Sequence, residues 1–216
     1  PITTPEGFSF DPLTDVEPGQ VQVSNAITVT GIEVAVAISV ANGEYQINDG
    51  GWTSTAGTVN AGDQVRVRHT SSSNFETTVT TTLTIGGVSA DFKTTTRAAD
   101  TEPDAFSFPT KTGVERETVV VSDSIVVTGI EVPVSITITA GEYDINESDD
   151  WTSEAGTVEE GDAVRVRHTS SSDYGSPTMT TVTIGGVSAT FTSVTVEDPA
   201  AANVDEGAFG FGFGFG

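Results

Sequence analysis

"AGTVNAGDQVRVRHTSSS" (56–73) returns almost letter for letter as "AGTVEEGDAVRVRHTSSS" (155–172). Within it Val65, Val67 and His69 alternate with Arg66, Arg68 and Thr70, a period of two that places the two sets on opposite faces of an extended strand. One face is built for burial and the other for water. Each copy is entered through turn chemistry, "NAGD" (60–63) or "EEGD" (159–162). A half-buried strand written twice argues for a duplicated β-domain.

The duplication extends outward on both sides. "FSFDPLTDVEPGQVQVSNAITVTGIEV" (8–34) matches "FSFPTKTGVERETVVVSDSIVVTGIEV" (106–132), "GEYQIN" (43–48) matches "GEYDIN" (141–146), and "TIGGVSADF" (84–92) matches "TIGGVSATF" (183–191). "AITVTGI" alternates Ile27, Val29 and Gly31 against Thr28 and Thr30, and Leu83 and Ile85 oppose Thr82 and Thr84. No stretch carries a helical period. About seven or eight short strands per unit, with turn signals between them, predict an all-β chain of two tandem antiparallel sandwiches of immunoglobulin type. The predicted divisions are domain 1 at 1–98, domain 2 at 99–197, and an acidic linker with a Phe/Gly strand at 198–216. "TTRAADTEPD" (95–104) reads as the linker between domains. Trp52 and Trp151 are the expected core anchors.

Composition bounds the function. The 216 residues carry 8 Lys and Arg against 31 Asp and Glu, a net charge of −23, and no cysteine. Such a chain lacks the clustered cations that grip nucleic acid, and anionic membranes repel it. A disulfide framework and thiol chemistry are excluded. No apolar run approaches the length of a membrane-spanning helix. A start at "PITTPEG" without Met reads as a processed or excerpted chain, in keeping with export.

The combined string "TVTGI…GEYxIN…WTSxAGTVxxGDxVRVRHTSSS…TIGGVSAxF" resembles the tandem immunoglobulin-like repeats of large bacterial surface and extracellular proteins. The resemblance covers both units. It implies a stalk, spacer or adhesive module, secreted and without enzymatic activity. The ending "PAAANVDEGAFGFGFGFG" (199–216) lies outside that pattern.

That ending carries the functional expectation. Phe209, Phe211, Phe213 and Phe215 alternate with glycines, including Gly212 and Gly214, so one side presents rings and the other bare backbone. Ordering such a glycine-rich ribbon costs more than its rings return alone, so it needs a sheet to join and a groove to fill. "DEGAFGF" (205–211) imitates the opening of each unit, "TPEGFSF" (4–10) and "EPDAFSF" (102–108), as the first strand of a third unit would. The expected acceptor is a domain edge near Phe8 and Phe10 of another copy, a β-strand addition that repeats head to tail into a homopolymer. The alternative is a repeat segment of a calcium-dependent or glycan-binding surface adhesin, whose partners are cell-surface or matrix components.

Other residues carry lesser expectations. Arg66, Arg68, Arg165 and Arg167 are half of the chain's 8 basic residues; they read as cross-strand partners of carboxylates or as a stripe orienting a neighbouring subunit. His69 and His168 read as hydrogen-bonded inward residues, since a zinc site needs three or four nearby ligands. No cofactor is required. Calcium has two candidate clusters, Asp144, Glu147, Asp149 and Asp150 on a turn, and Asp100, Glu102 and Asp104 at the linker. No phosphate-binding glycine loop or nucleophile elbow is present. A lysine for an intramolecular crosslink is not shared, because Lys93 becomes Thr192 and Lys111 replaces Leu13.

Overall fold

A computed structural model describes residues 1–200. The chain divides into two compact units, the first ending at Ala99 and the second beginning at Asp100. Each unit is a two-sheet immunoglobulin-like β-sandwich, and no helix occurs among the described residues. The tail expected to act as a strand lies outside them.

Unit 1 contains β1 (Leu13–Val16), β2 (Val21–Val23), β3 (Ile27–Thr28), β4 (Val36–Ala41), β5 (Glu44–Ile47), β6 (Gly57–Val59), β7 (Gln64–Thr70), β8 (Thr78–Ile85) and β9 (Val88–Thr96). One sheet runs β1-β9-β8-β4-β6. In the other, β7 is central, with β2 and β3 along one side and β5 along the opposite side. Unit 2 repeats this order with β10 (Lys111–Val114), β11 (Val119–Val121), β12 (Ile125–Val126), β13 (Val134–Thr139), β14 (Glu142–Ile145), β15 (Gly156–Val158), β16 (Ala163–Thr169), β17 (Pro177–Ile184) and β18 (Val187–Thr195).

The alternation decides what is buried. Val65 and Val67 are fully buried on β7, and so are Leu83 and Ile85 on β8 and Phe92 on β9. The two-residue Gly86-Gly87 hairpin joins β8 to β9 with φ of 52° and 87°. Two successive positive φ values match the right-handed twist of the flanking strands, and glycine adopts them without steric cost.

The structure departs from the sequence expectations in five places. Nine short strands per unit replace seven or eight: β2 is split off ahead of β3, and the strand read at "AITVTGI" (26–32) is cut to Ile27–Thr28. The split falls at Ser24, whose hydroxyl accepts the Val67 N–H at 3.0 Å in place of a backbone ladder bond. The ladder of β3 ends at Thr28, and the alternation runs on through buried Val29 and exposed Thr30 into a turn, where Gly31 has φ 82° and a Cβ would meet the Glu6 nitrogen at 2.8 Å. The sandwiches are not wholly antiparallel, since β1 pairs β9, and β10 pairs β18, in parallel.

The tryptophans are not core anchors. Trp52 and Trp151 are only partly buried, and the Arg68 guanidinium lies 4.6 Å from the Trp52 ring centre. The core is centred instead on Phe92 in unit 1 and Phe191 in unit 2. The expected linker is mostly structured: Thr95 and Thr96 complete β9, and Arg97 N–H bonds the Val16 carbonyl at 3.0 Å. Asp100 N–H bonds the Glu131 carboxylate at 2.8 Å, and the Glu131 N–H bonds the Asp100 carbonyl at 2.9 Å. Only Ala98 and Ala99 lie between these attachments. Finally, the expected acceptor edge near Phe8 and Phe10 is not vacant, as described next.

Candidate functional site

Residues 1–11 open unit 1 by filling its core. Glu6 N–H bonds the Thr30 carbonyl at 3.0 Å, and the Thr30 hydroxyl bonds the Glu6 carboxylate at 2.7 Å. Asp11 N–H reaches the Asn25 side chain at 2.8 Å. Between these anchors Phe10 is buried and Phe8 packs against the core from a half-buried position. Phe8 meets Phe10 edge-on with ring centres 6.1 Å apart, and Phe10 meets Phe92 the same way at 6.3 Å. The favoured edge-to-face geometry brings a positive ring edge to a negative face. Unit 2 repeats the column, Phe106 to Phe108 at 6.2 Å and Phe108 to Phe191 at 6.3 Å.

The column ends on histidine. His69 lies 5.0 Å from Phe92 between ring centres, with Nδ1 2.7 Å from Thr81 Oγ1 and Nε2 2.7 Å from Thr94 Oγ1. Thr81 donates its own hydroxyl proton to the Asn42 carbonyl at 2.6 Å, so it accepts from the ring. Nδ1 therefore carries the proton, and Nε2 accepts from Thr94. His168 is held identically by Thr180 and Ser193, with Thr180 donating to the Ala140 carbonyl. Each imidazole thus bridges β7 to β8 and β9, or β16 to β17 and β18, tying the two sheets together where no cysteine is available. Burial lowers the pKa of both histidines below the ordinary value. The sequence contained the signal for these partners: Thr81 shares its strand phase with Leu83 and Ile85, and Thr94 with Phe92, so their hydroxyls had to find inward partners.

Three of the four strand arginines pair within their own unit. Arg68 faces Glu44 in register and bonds it at 2.7 Å, and Arg167 does the same with Glu142. Arg165 is opposite Asp144, which it contacts at 2.7 Å, and also holds Asp149 at 2.6 Å. Arg66 faces Gln46 and is exposed, with no ion pair among the described residues. The stripe imagined for a neighbouring subunit is therefore largely neutralised at home.

The acidic clusters do not converge. Asp144 is fully buried and accepts from Ser148 at 2.6 Å as well as from Arg165. Burial pushes its pKa up, but the Ser148 and Arg165 hydrogen bonds and the guanidinium charge outweigh burial and hold it below the ordinary value. Glu147 accepts from Ser124, and Asp150 is exposed. At the other cluster Asp100 caps the Glu102 N–H, while Asp104 accepts from Thr128. Among the described residues no three acidic or histidine side chains are gathered to hold a metal ion. Neither set fits calcium, which takes six to eight oxygens.

The natural difference between copies suggests a test. Arg165→Ala strands the buried Asp144 carboxylate and lowers the thermal midpoint of unit 2. Adding Asp144→Gln, the residue unit 1 has at Gln46, restores most of the loss. A double variant no more stable than the single one in calorimetry would mean the pair does not act as a unit.

Each unit also has an open depression of about 510 Å3, which sequence reasoning missed. Val21, Gly43, Glu44, Arg68 and Val79 border it in unit 1, and Val119, Gly141, Glu142, Arg167 and Thr178 in unit 2.

No family model and no curated protein matches the chain. Among solved structures it is similar to a pair of titin domains crystallised in complex with telethonin, at 13% identity and TM-score 0.44, covering 90% of this chain and 96% of that one. It is similar to an I-band fragment of titin at 10% identity and TM-score 0.31, covering 91% of this chain and 64% of that one. An endo-fucoidan hydrolase of glycoside hydrolase family 107 aligns at 13% identity and TM-score 0.28, over 90% of this chain and 29% of that one. The immunoglobulin-like fold itself stands on the strand order and pairing described above.

Proposed function

We propose that this chain is a structural, non-catalytic tandem of an extracellular bacterial protein, joined copy to copy, head to tail, through its Phe/Gly end. The observation that carries this reading is the place of Phe-x-Phe in both units. Each opening pair is a core element stacked on the central phenylalanine, and the tail spells the same pair at Phe209 and Phe211. The rest of the chain supports a mechanical role. Its buried histidines are committed to hydroxyls and its buried carboxylate to an arginine, which leaves no poised acid, base or nucleophile in that set. Copies that each carry −23 repel, so assembly is favoured by salt or divalent cations.

Truncation tests the reading. Full-length protein forms threads in negative-stain electron microscopy, and a chain ending at Glu206 stays monomeric with unchanged thermal stability. Threads from the shortened chain would refute tail-mediated assembly. The paired depressions favour a second reading, a glycan-binding adhesin repeat. In that case the shortened chain keeps its affinity for cell-surface glycans.

A further inference from the structure

We propose that the seat of the opening Phe-x-Phe segment is exchangeable, and that residues 207–216 of a second copy enter it by displacing the resident segment. This rests on the assembly reading above and names its acceptor. The resident segment is packed by its rings but weakly tied by its backbone. In unit 1 the anchors are Ile2, which exchanges two hydrogen bonds with Glu33, and Glu6 and Asp11, while Gly7, Phe8, Ser9 and Phe10 make no hydrogen bond among the described residues. No strand pairs with the outer side of β3 or β12 among the described residues. In unit 2 the attachment is weaker still. Asp104 N–H bonds the Thr128 carbonyl at 2.7 Å, but Pro109 replaces Asp11 and has no N–H to donate.

The incoming segment suits this seat. Phe209 and Phe211 reproduce the ring pair, and the intervening glycines leave the backbone free to approach a sheet edge and complete a ladder that the resident never forms. The segment lies beyond the described residues. One feature of the resident is missing from it: buried Pro5 and Pro103 align with Glu206. The grip of the newcomer therefore starts at Gly207 and depends on rings and main chain. A resident must leave before a newcomer enters, so assembly is slow and concentration-dependent.

Chymotrypsin reads the exchange directly, because it cuts after aromatic residues and spares packed ones. Threads of the full chain should be cleaved after Phe8 or Phe10, or after Phe106 (Pro109 protects the bond after Phe108 in any state), about tenfold or more faster than the monomer ending at Glu206. The cut positions identify which copy of the seat is used. Threads in which all three bonds stay as protected as in the monomer would overturn the exchange while leaving tail-mediated assembly intact. Absence of threads from the full chain would remove the parent reading. A second variant, Phe209→Ser with Phe211→Ser, leaves both sandwiches untouched and should abolish threads and cleavage together. Threads formed by it would show that the ring pair does not occupy the seat.

Discussion

Phe92→Ala should destabilise unit 1 by about 3–5 kcal/mol, as large-to-small substitutions of buried aromatic residues do. The ring is fully buried, it closes the column from Phe8 and Phe10, and it supports the His69 imidazole. Its removal leaves a cavity whose walls are strands of two sheets, which cannot close without breaking the histidine bridge. A domain of this size has a total stability of roughly 5–15 kcal/mol, so the loss is a large share of it. Urea denaturation should show unit 1 unfolding early while unit 2 keeps its midpoint. Phe191→Ala should reverse the order. Phe8→Ala, at the half-buried end of the same column, should cost clearly less. A Phe92→Ala loss no larger than that of Phe8→Ala would mean that the column is not the centre of the core.

The fold was legible because it depends on local alternation, which a single strand carries in its own letters. Val65-Arg66-Val67-Arg68-His69 states its buried and wet faces before any partner strand is known, and Gly86-Gly87 states its hairpin. The duplication supplied a second, independent spelling of each signal. What was not legible depends on partners distant in sequence. Trp52 has the size of a core anchor, but its neighbour Thr53 pairs with Tyr45 at the sheet edge, so the ring stacks under Arg68 outside the core. Asp144 reads as one more acid on an acidic turn. Only the register of β14 against β16 places it opposite Arg165 and so accounts for its burial. The candidate calcium clusters fail for the same reason, since proximity along the chain does not make side chains converge. Phe8 and Phe10, read from the sequence as an acceptor region, belong to the core of their own unit, which makes any newcomer a competitor.

The histidine bridges predict an acid-sensitive sandwich. Both imidazoles are held neutral, with Nδ1 donating to a threonine and Nε2 accepting from a hydroxyl. Protonation places a second donor at Nε2, facing an oxygen that was itself donating, and it does so in a buried site. The folded-state pKa therefore lies below the unfolded value of about 6.5. Above that value both states are neutral and the full stability is present. As pH falls below it, the unfolded chain binds protons that the folded chain refuses, and stability drops until the folded histidines titrate as well. With one histidine in each unit, the slope is at most about 1.4 kcal/mol per pH unit for each sandwich. Asp63 and Asp144, whose pKa values are lowered from 3.8, contribute in the same direction but only at lower pH. Urea midpoints measured from about pH 7.5 down to about pH 5 should therefore fall steadily. The His69→Gln, His168→Gln chain should begin less stable and show a flat profile over that range. An equally steep fall in that variant would assign the acid sensitivity to groups other than the bridges between the sheets.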